Sequence, residues 1–143
     1  MTIKKRASAH WQGGIKDGKG RISTQSGALQ DQPYGFNTRF EEQPGTNPEE
    51  LIGAAHAGCF SMALSKELEE RGMLAESIDT QAEVWLEKED GGFRISAVHL
   101  SLRARIPGAD RNKFEEAVET AKTGCPVSKL LNAEISLQVT LDA

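Results

Sequence analysis

One helix, spelled out between Asn47 and Gly72, restricts the fold more than any other segment. In TNPEELIGAAHAGCFSMALSKELEERG, Asn47 can cap, Pro48 suits the first helical position, and Glu50 can reach back to Asn47 as in a capping box. The pattern predicts a helix running to about Arg71, with Gly72 just past its end. Leu51 to Ser65 is a run of 15 residues without a charge, and its first half is small or apolar all round. Such a surface predicts burial on more than one side, with Gly53, Ala54, Ala57 and Gly58 admitting another backbone at close range. The run is shorter than the ~20 apolar residues that span a bilayer, so it reads as a buried helix and not a membrane one. Its second half, SKELEERG, is charged and should emerge into solvent.

The segments around this helix change period to two. Ile3, Lys5, Ala7, Ala9 and Trp11 alternate with Lys4, Arg6, Ser8 and His10, and GRISTQ follows a Gly-rich turn, so the chain should open with a hairpin or meander. PYGFNTRF predicts a turn and then a short extended piece, with Phe36, Thr38 and Phe40 on one face and Asn37, Arg39 and Glu41 on the other. Past the helix, Ile78, Thr80, Ala82, Val84 and Leu86 form one face of a long strand. KEDGG turns the chain, and FRISAVHLSLRARI returns as its partner, with a change of apolar phase between Ile95 and Val98 that a bulge explains. Asp110 caps a helix carrying Phe114, Ala117, Val118 and Ala121, and Gly124 ends it. CPVSKLL begins a shorter helix, and EISLQVTL closes the chain as a strand with Ile135, Leu137, Val139 and Leu141 inward. The expected class is α+β with antiparallel sheet, in one domain over residues 1–143.

Composition narrows the function classes. A chain of 143 residues can bury about 68% of its unfolded surface, so a core is available without disulfide or metal staples. The net charge of −4 offers no footprint for nucleic acid. The opening MTIKKRASAHW has basic residues but no apolar stretch behind them, so no secretory signal is expected and the cytoplasm is the expected compartment. Two cysteines 66 positions apart in a reducing compartment do not read as a permanent bridge, which leaves chemistry or plain burial.

Several motifs compete. GGIKDGKG contains G-x-x-x-x-G-K, but Gly20 and a strand follow where a phosphate loop needs Ser or Thr and a helix, so it reads as a turn. His56 and Cys59, three apart on one helix face, could be two metal ligands, yet a zinc site wants at least three and a satisfied helical histidine is the default. The same pair could form a Cys-His hydrolase dyad, although no orienting group stands out. Cys125 lies at the expected N-cap of a helix, where backbone N–H groups favour a thiolate. Cys59 lies about eleven residues, ~16 Å, into its helix, where the dipole no longer helps, so a reactive Cys59 needs an external cation. Arg39 is a candidate for that cation, or else a solvated strand residue. Spacing alone leaves a redox cysteine pair and two buried thiols both open.

PYGFNTRFE, GTNPEELIGAAHAGCFSMAL and GCPVSKLL closely resemble the OsmC branch of the OsmC/Ohr family, and the likeness runs over nearly the whole chain. The resemblance implies a thiol-dependent peroxidase for organic hydroperoxides, with Cys59 at the peroxidatic position, Cys125 at the resolving one, and Arg39 and Glu49 as the family's Arg and Glu partners. It implies an intertwined homodimer, sheets wrapped around central helices, with active sites at the subunit interface. It implies an external dithiol as reductant and no cofactor or metal. Phe36, Phe60 and Met62 could supply apolar pocket wall, or simply core packing. On a straight helix ten residues put Glu49 ~15 Å along the axis from Cys59, so Glu49 is expected to serve the other subunit's Cys59, with a break in the helix as the competing explanation. A second class stays open: a stress-induced binding or structural protein whose buried cysteines do no chemistry.

Overall fold

Strand β1 (Ala7–Gln12) pairs antiparallel with β2 (Lys19–Thr24), which pairs antiparallel with β3 (Gln32–Tyr34), giving the expected meander in the order β1-β2-β3. The computed structural model describes all 143 residues, and they form two compact units, Met1–Leu51 and Ile52–Ala143. The first strand begins at Ala7 and not at Ile3, because β2 ends opposite Ala7 and the chain turns away through Gln25–Gly27. GGIKDGKG is the β1–β2 turn: Gly18 N–H donates to Gly14 O at 2.9 Å, and Asp17 Oδ1 accepts from Gly14 N–H at 3.1 Å. Gly20 is buried beneath the Trp11 and Tyr34 rings, whose centroids lie 5.6 Å apart, and a Cβ there would collide with both.

Residues Phe36–Phe40 form a short helix, α1, and not the extended piece that alternation predicted. Three alternating positions do not separate a strand from one helical turn, and here the Thr38 hydroxyl decides by accepting from Gly35 N–H at 2.8 Å. Helix α2 (Pro48–Glu70) follows as predicted. Asn47 Oδ1 accepts from Glu50 N–H at 2.8 Å, while the Glu50 carboxylate accepts from the Thr46 hydroxyl at 2.9 Å instead of closing the box. Gly72, at φ +78°, lets the chain leave the helix where a side chain would be strained.

The second unit holds β4 (Ser77–Glu89), β5 (Gly92–Arg105) and β6 (Glu134–Asp142) in the order β4-β5-β6. β4 and β5 are antiparallel, and the register jumps from Trp85 opposite Ala97 to Leu86 opposite Ile95, which leaves Ser96 as the bulged residue. The expectation of purely antiparallel sheet needs correction, because β6 runs parallel to β5, with Val98 opposite Ile135. The cause is the connection: helices α3 (Arg111–Gly124) and α4 (Pro126–Leu130) carry the chain back to the end where β5 began. Ile135, Leu137 and Leu141 are half-buried on β6, whereas Val139 is exposed.

The core lies between the β4–β5–β6 sheet and the helices, built from Phe60, Leu64 and Leu68 of α2, Val98, Leu100 and Leu102 of β5, and Phe114, Ala117 and Ala121 of α3. Each large side chain so buried contributes roughly 1.5–3 kcal/mol relative to exposure. A Cβ on Gly53 would meet the Val84 side chain at 3.3 Å, so glycine permits close approach to β4. Within the chain one face of α2 is buried: His56, Phe60, Leu64 and Leu68 are covered, while Ala54, Ala55, Gly58 and Met62 are exposed. No helix is long and apolar enough to cross a membrane.

Candidate active site

In the first unit, the end of α1 and the start of α2 bring Arg39 and Glu49 together. Asn47 Nδ2 donates to Thr38 O at 3.2 Å, tying the two helices at the point where those side chains leave them. Arg39 Nε donates to Glu49 Oε1 at 2.9 Å and Nη2 to Oε2 at 3.0 Å, a fork-to-fork pair. The carboxylate side chain is 11% exposed and sits in the first turn of α2, where the helix dipole also favours negative charge. Beside the guanidinium, Trp11, Ile15, Tyr34, Phe36, Phe40 and Pro48 line an apolar cleft of about 180 Å³. Phe36 and Arg39 line this cleft together.

In the second unit, α2 presents Cys59 and the α3–α4 junction presents Cys125. Cys125 closes α3, its N–H donating to Ala121 O at 3.0 Å, and opens α4, its O accepting from Lys129 N–H at 3.0 Å. It is fully buried, and Cys59 is half-buried. Cys59 packs against the core cluster that includes Cys125, and both thiols are free. Burial pushes the Cys125 thiol up, but the Cys59 thiol, the Val127 and Ser128 N–H groups and the Ser128 hydroxyl together bring it below its ordinary value. Burial pushes Cys59 up, the Cys125 thiol adds to that, and the Val127 N–H offsets only part of it. The neighbouring Cys59 thiol, ahead of the groups at the start of α4, thus makes Cys125 the more acidic of the two.

A groove of about 580 Å³ runs beside Cys59, with Met62, Ala63, Lys66, Glu67, Thr120 and Pro126 among its lining residues. Met62 is 78% exposed and lines this groove, whereas Phe60 is fully buried in the core and lines neither cavity.

His56 follows its default reading, a buried helical histidine with a hydrogen-bond partner, and neither the metal-ligand nor the dyad reading. Its Nε2 lies 2.8 Å from Ser128 Oγ and its Nδ1 has no partner, so neither nitrogen bonds Cys59 as a hydrolase dyad would require. Burial lowers the pKa of the imidazole, favouring the neutral ring. Ser128 was missed from sequence. Its signal was the spacing C-P-V-S, which sets a hydroxyl three residues after the cap cysteine, the position of a capping-box partner.

Comparison with known proteins agrees with this arrangement of elements. The OsmC-like protein family model matches residues 40–140. Peroxiredoxin OsmC of Escherichia coli K12 is 57% identical over 141 residues, covering 99% of each chain. Organic hydroperoxide resistance protein OhrB of Bacillus subtilis 168 is 32% identical over 85% of this chain and 88% of its own. The crystal structure of B. subtilis OhrB superposes with a TM-score of 0.67 at 30% identity, over 95% of this chain and 97% of that one. With the α+β architecture shared and the family model spanning more than two thirds of its residues, this chain belongs to the OsmC-like protein family.

Proposed function

We propose that this chain is a thiol peroxidase that reduces organic hydroperoxides to alcohols, with Cys59 as the attacking thiol and Cys125 as the resolving one. The observation that carries the reading is the pair of free thiols in one core cluster, with one sulfur on α2 and the other at the start of α4. The relatives named for peroxiredoxin activity and hydroperoxide resistance support it.

The Cys59 thiolate attacks the hydroperoxide oxygen, the O–O bond breaks, and the alkoxide takes a proton and leaves as the alcohol. Cys59 is then a sulfenic acid. Cys125 attacks its sulfur, a disulfide forms, and the hydroxide leaves as water once protonated. An external dithiol returns both thiols by exchange. Nothing around Cys59 in its own unit except the Val127 N–H favours the thiolate, so the reading assigns a cation to it, and the cation is Arg39 held by Glu49. The apolar lining around Phe36 and the groove beside Met62 suit an organic peroxide better than hydrogen peroxide.

The reading includes an intertwined homodimer, supported by the unpartnered small-residue face of α2 with Met62 in it. It treats residues 1–143 as one domain, supported by α2 running unbroken across both units. Cytoplasmic location and a dithiol partner belong to the same proposal, since the cycle needs a reducing compartment.

One equivalent of cumene hydroperoxide added to the reduced protein tests it. Rapid loss of both alkylatable thiols, with a Cys59–Cys125 peptide in the mass spectrum, is the expected result. Two thiols that stay alkylatable would leave a binding or structural protein.

A further inference from the structure

We propose that Asn47 is a positioning residue for the Arg39 guanidinium: its side chain caps α2 and clamps α1 to it, and the clamp sets the Arg39–Glu49 fork. The inference rests on the peroxidase reading above for the step that Arg39 serves.

Asn47 uses both ends of its amide. Oδ1 accepts from Glu50 N–H at 2.8 Å, which caps α2, and Nδ2 donates to Thr38 O at 3.2 Å, in α1. The cap alone does not call for asparagine, since Asp and Ser accept from the same N–H about as well. What they lack is a second group that donates. The amide's orientation is fixed too, because a flipped one would set its oxygen against Thr38 O and its N–H groups against Glu50 N–H. Thr38 O is among the last carbonyls of a five-residue helix, where no N–H of the same helix is left to meet them.

The clamp joins the two backbones at the residue before Arg39 and two residues before Glu49. So short a helix cannot hold its own place. Thr46 N–H donates to Pro33 O at 2.9 Å, but that bond ties the start of α2 to β3 and does not touch α1. Gln43 N–H reaches Asn37 O at 3.4 Å, a weak hold on α1 beside the clamp. A fork needs both guanidinium nitrogens opposite both carboxylate oxygens, so a small shift of α1 would leave one bond of the two. The Arg39 side chain, 38% exposed, would then swing toward solvent. Asn47 is not part of the lining of the apolar cleft beside Arg39, so it acts through the guanidinium and not on the substrate.

The test uses Asn47→Asp and Asn47→Ser, which keep an acceptor for Glu50 N–H and lose the donor to Thr38 O, serine without adding charge. Asn47→Ala loses the cap as well and should have a lower urea midpoint than either. First, exchange of the Arg39 Nε proton with water is measured by NMR on the reduced protein without peroxide, the resonance being assigned by its loss in Arg39→Lys. Exchange should be about fivefold faster in both variants, the worth of one hydrogen bond. Second, hydroperoxide consumption should fall about fivefold at neutral pH and return to the wild-type rate at high pH, where the Cys59 thiolate forms unaided. In an Arg39→Met background, Asn47→Ser should cost nothing further. Unchanged exchange, slowing by one factor at every pH, or a loss that adds to that of Arg39→Met would overturn the inference. Where one of the two variants does not fold, the other decides. A wild-type protein that forms no disulfide with hydroperoxide overturns the peroxidase reading, while the proton exchange still judges the clamp by itself.

Discussion

Arg39 and Glu49 are joined within one chain by two near-parallel bonds of 2.9 and 3.0 Å, although they lie on different helices. The Arg39 side chain is 38% exposed and the Glu49 side chain 11%, so the carboxylate is the fixed half of the pair and the guanidinium is the half that can meet a ligand.

That geometry sets the first prediction. Arg39→Met should slow hydroperoxide consumption at neutral pH by about ten- to a hundredfold, and the rate should approach wild type at high pH, where the Cys59 thiolate forms unaided. Arg39→Lys should recover only part of the rate, because an ammonium cannot meet both Glu49 oxygens. Glu49→Gln should add little to the loss in an Arg39→Met background. An unchanged rate–pH profile in Arg39→Met would remove Arg39 from the mechanism.

The thiols make the second prediction sharp, since their mutual influence favours Cys125 as the first to ionise and the mechanism assigns first attack to Cys59. Cys59→Ser should abolish hydroperoxide consumption. Cys125→Ser should consume one equivalent and hold a sulfenic acid that dimedone traps. Dimedone labelling of Cys125 in Cys59→Ser at the native rate would reverse the roles.

The third concerns stability and pH. His56 is buried with its pKa lowered from the ordinary 6.5, so the unfolded chain binds this proton more readily than the folded one. The stabilisation is complete above 6.5 and is lost as pH falls from there through the lowered folded value. Urea midpoints from neutral to mildly acid pH should therefore decline for wild type and decline less for His56→Gln. Parallel curves for the two proteins would show that His56 does not drive the loss.

Subunit complementation makes a fourth. Inactive Cys59→Ser and inactive Glu49→Ala proteins, unfolded together and refolded, should regain about a quarter of wild-type activity, from half the dimers being mixed with one intact site each. Mixed dimers verified by mass spectrometry and still inactive would place Glu49 with the Cys59 of its own chain.

The resemblance brought Arg39, Glu49, Cys59 and Cys125 forward, and the residues alone had left a redox pair and two buried thiols equally open. Structure added what local pattern cannot hold. His56 and Ser128 meet across 72 positions, and no spacing rule near either announces the other. Phe60 and Met62 are two apart on α2, yet one is in the core and the other faces out, because the sheet takes only one side of that helix.

What the sequence determined by itself is whatever a few neighbouring residues decide through their own hydrogen bonds and side-chain period. Asn47 and Asp110 cap their helices, Gly72 releases α2, β4 alternates from Ile78 to Leu86, and the bulge falls at Ser96. Tertiary structure decided the direction of β6, since a strand's own alternation is the same whichever way its neighbour runs and only the α3–α4 crossover chooses. It also helped hold Phe36–Phe40 as a helix, because a five-residue segment has too few bonds of its own to hold one state, and the local Thr38–Gly35 bond is joined by Asn47 to Thr38 and Arg39 to Glu49.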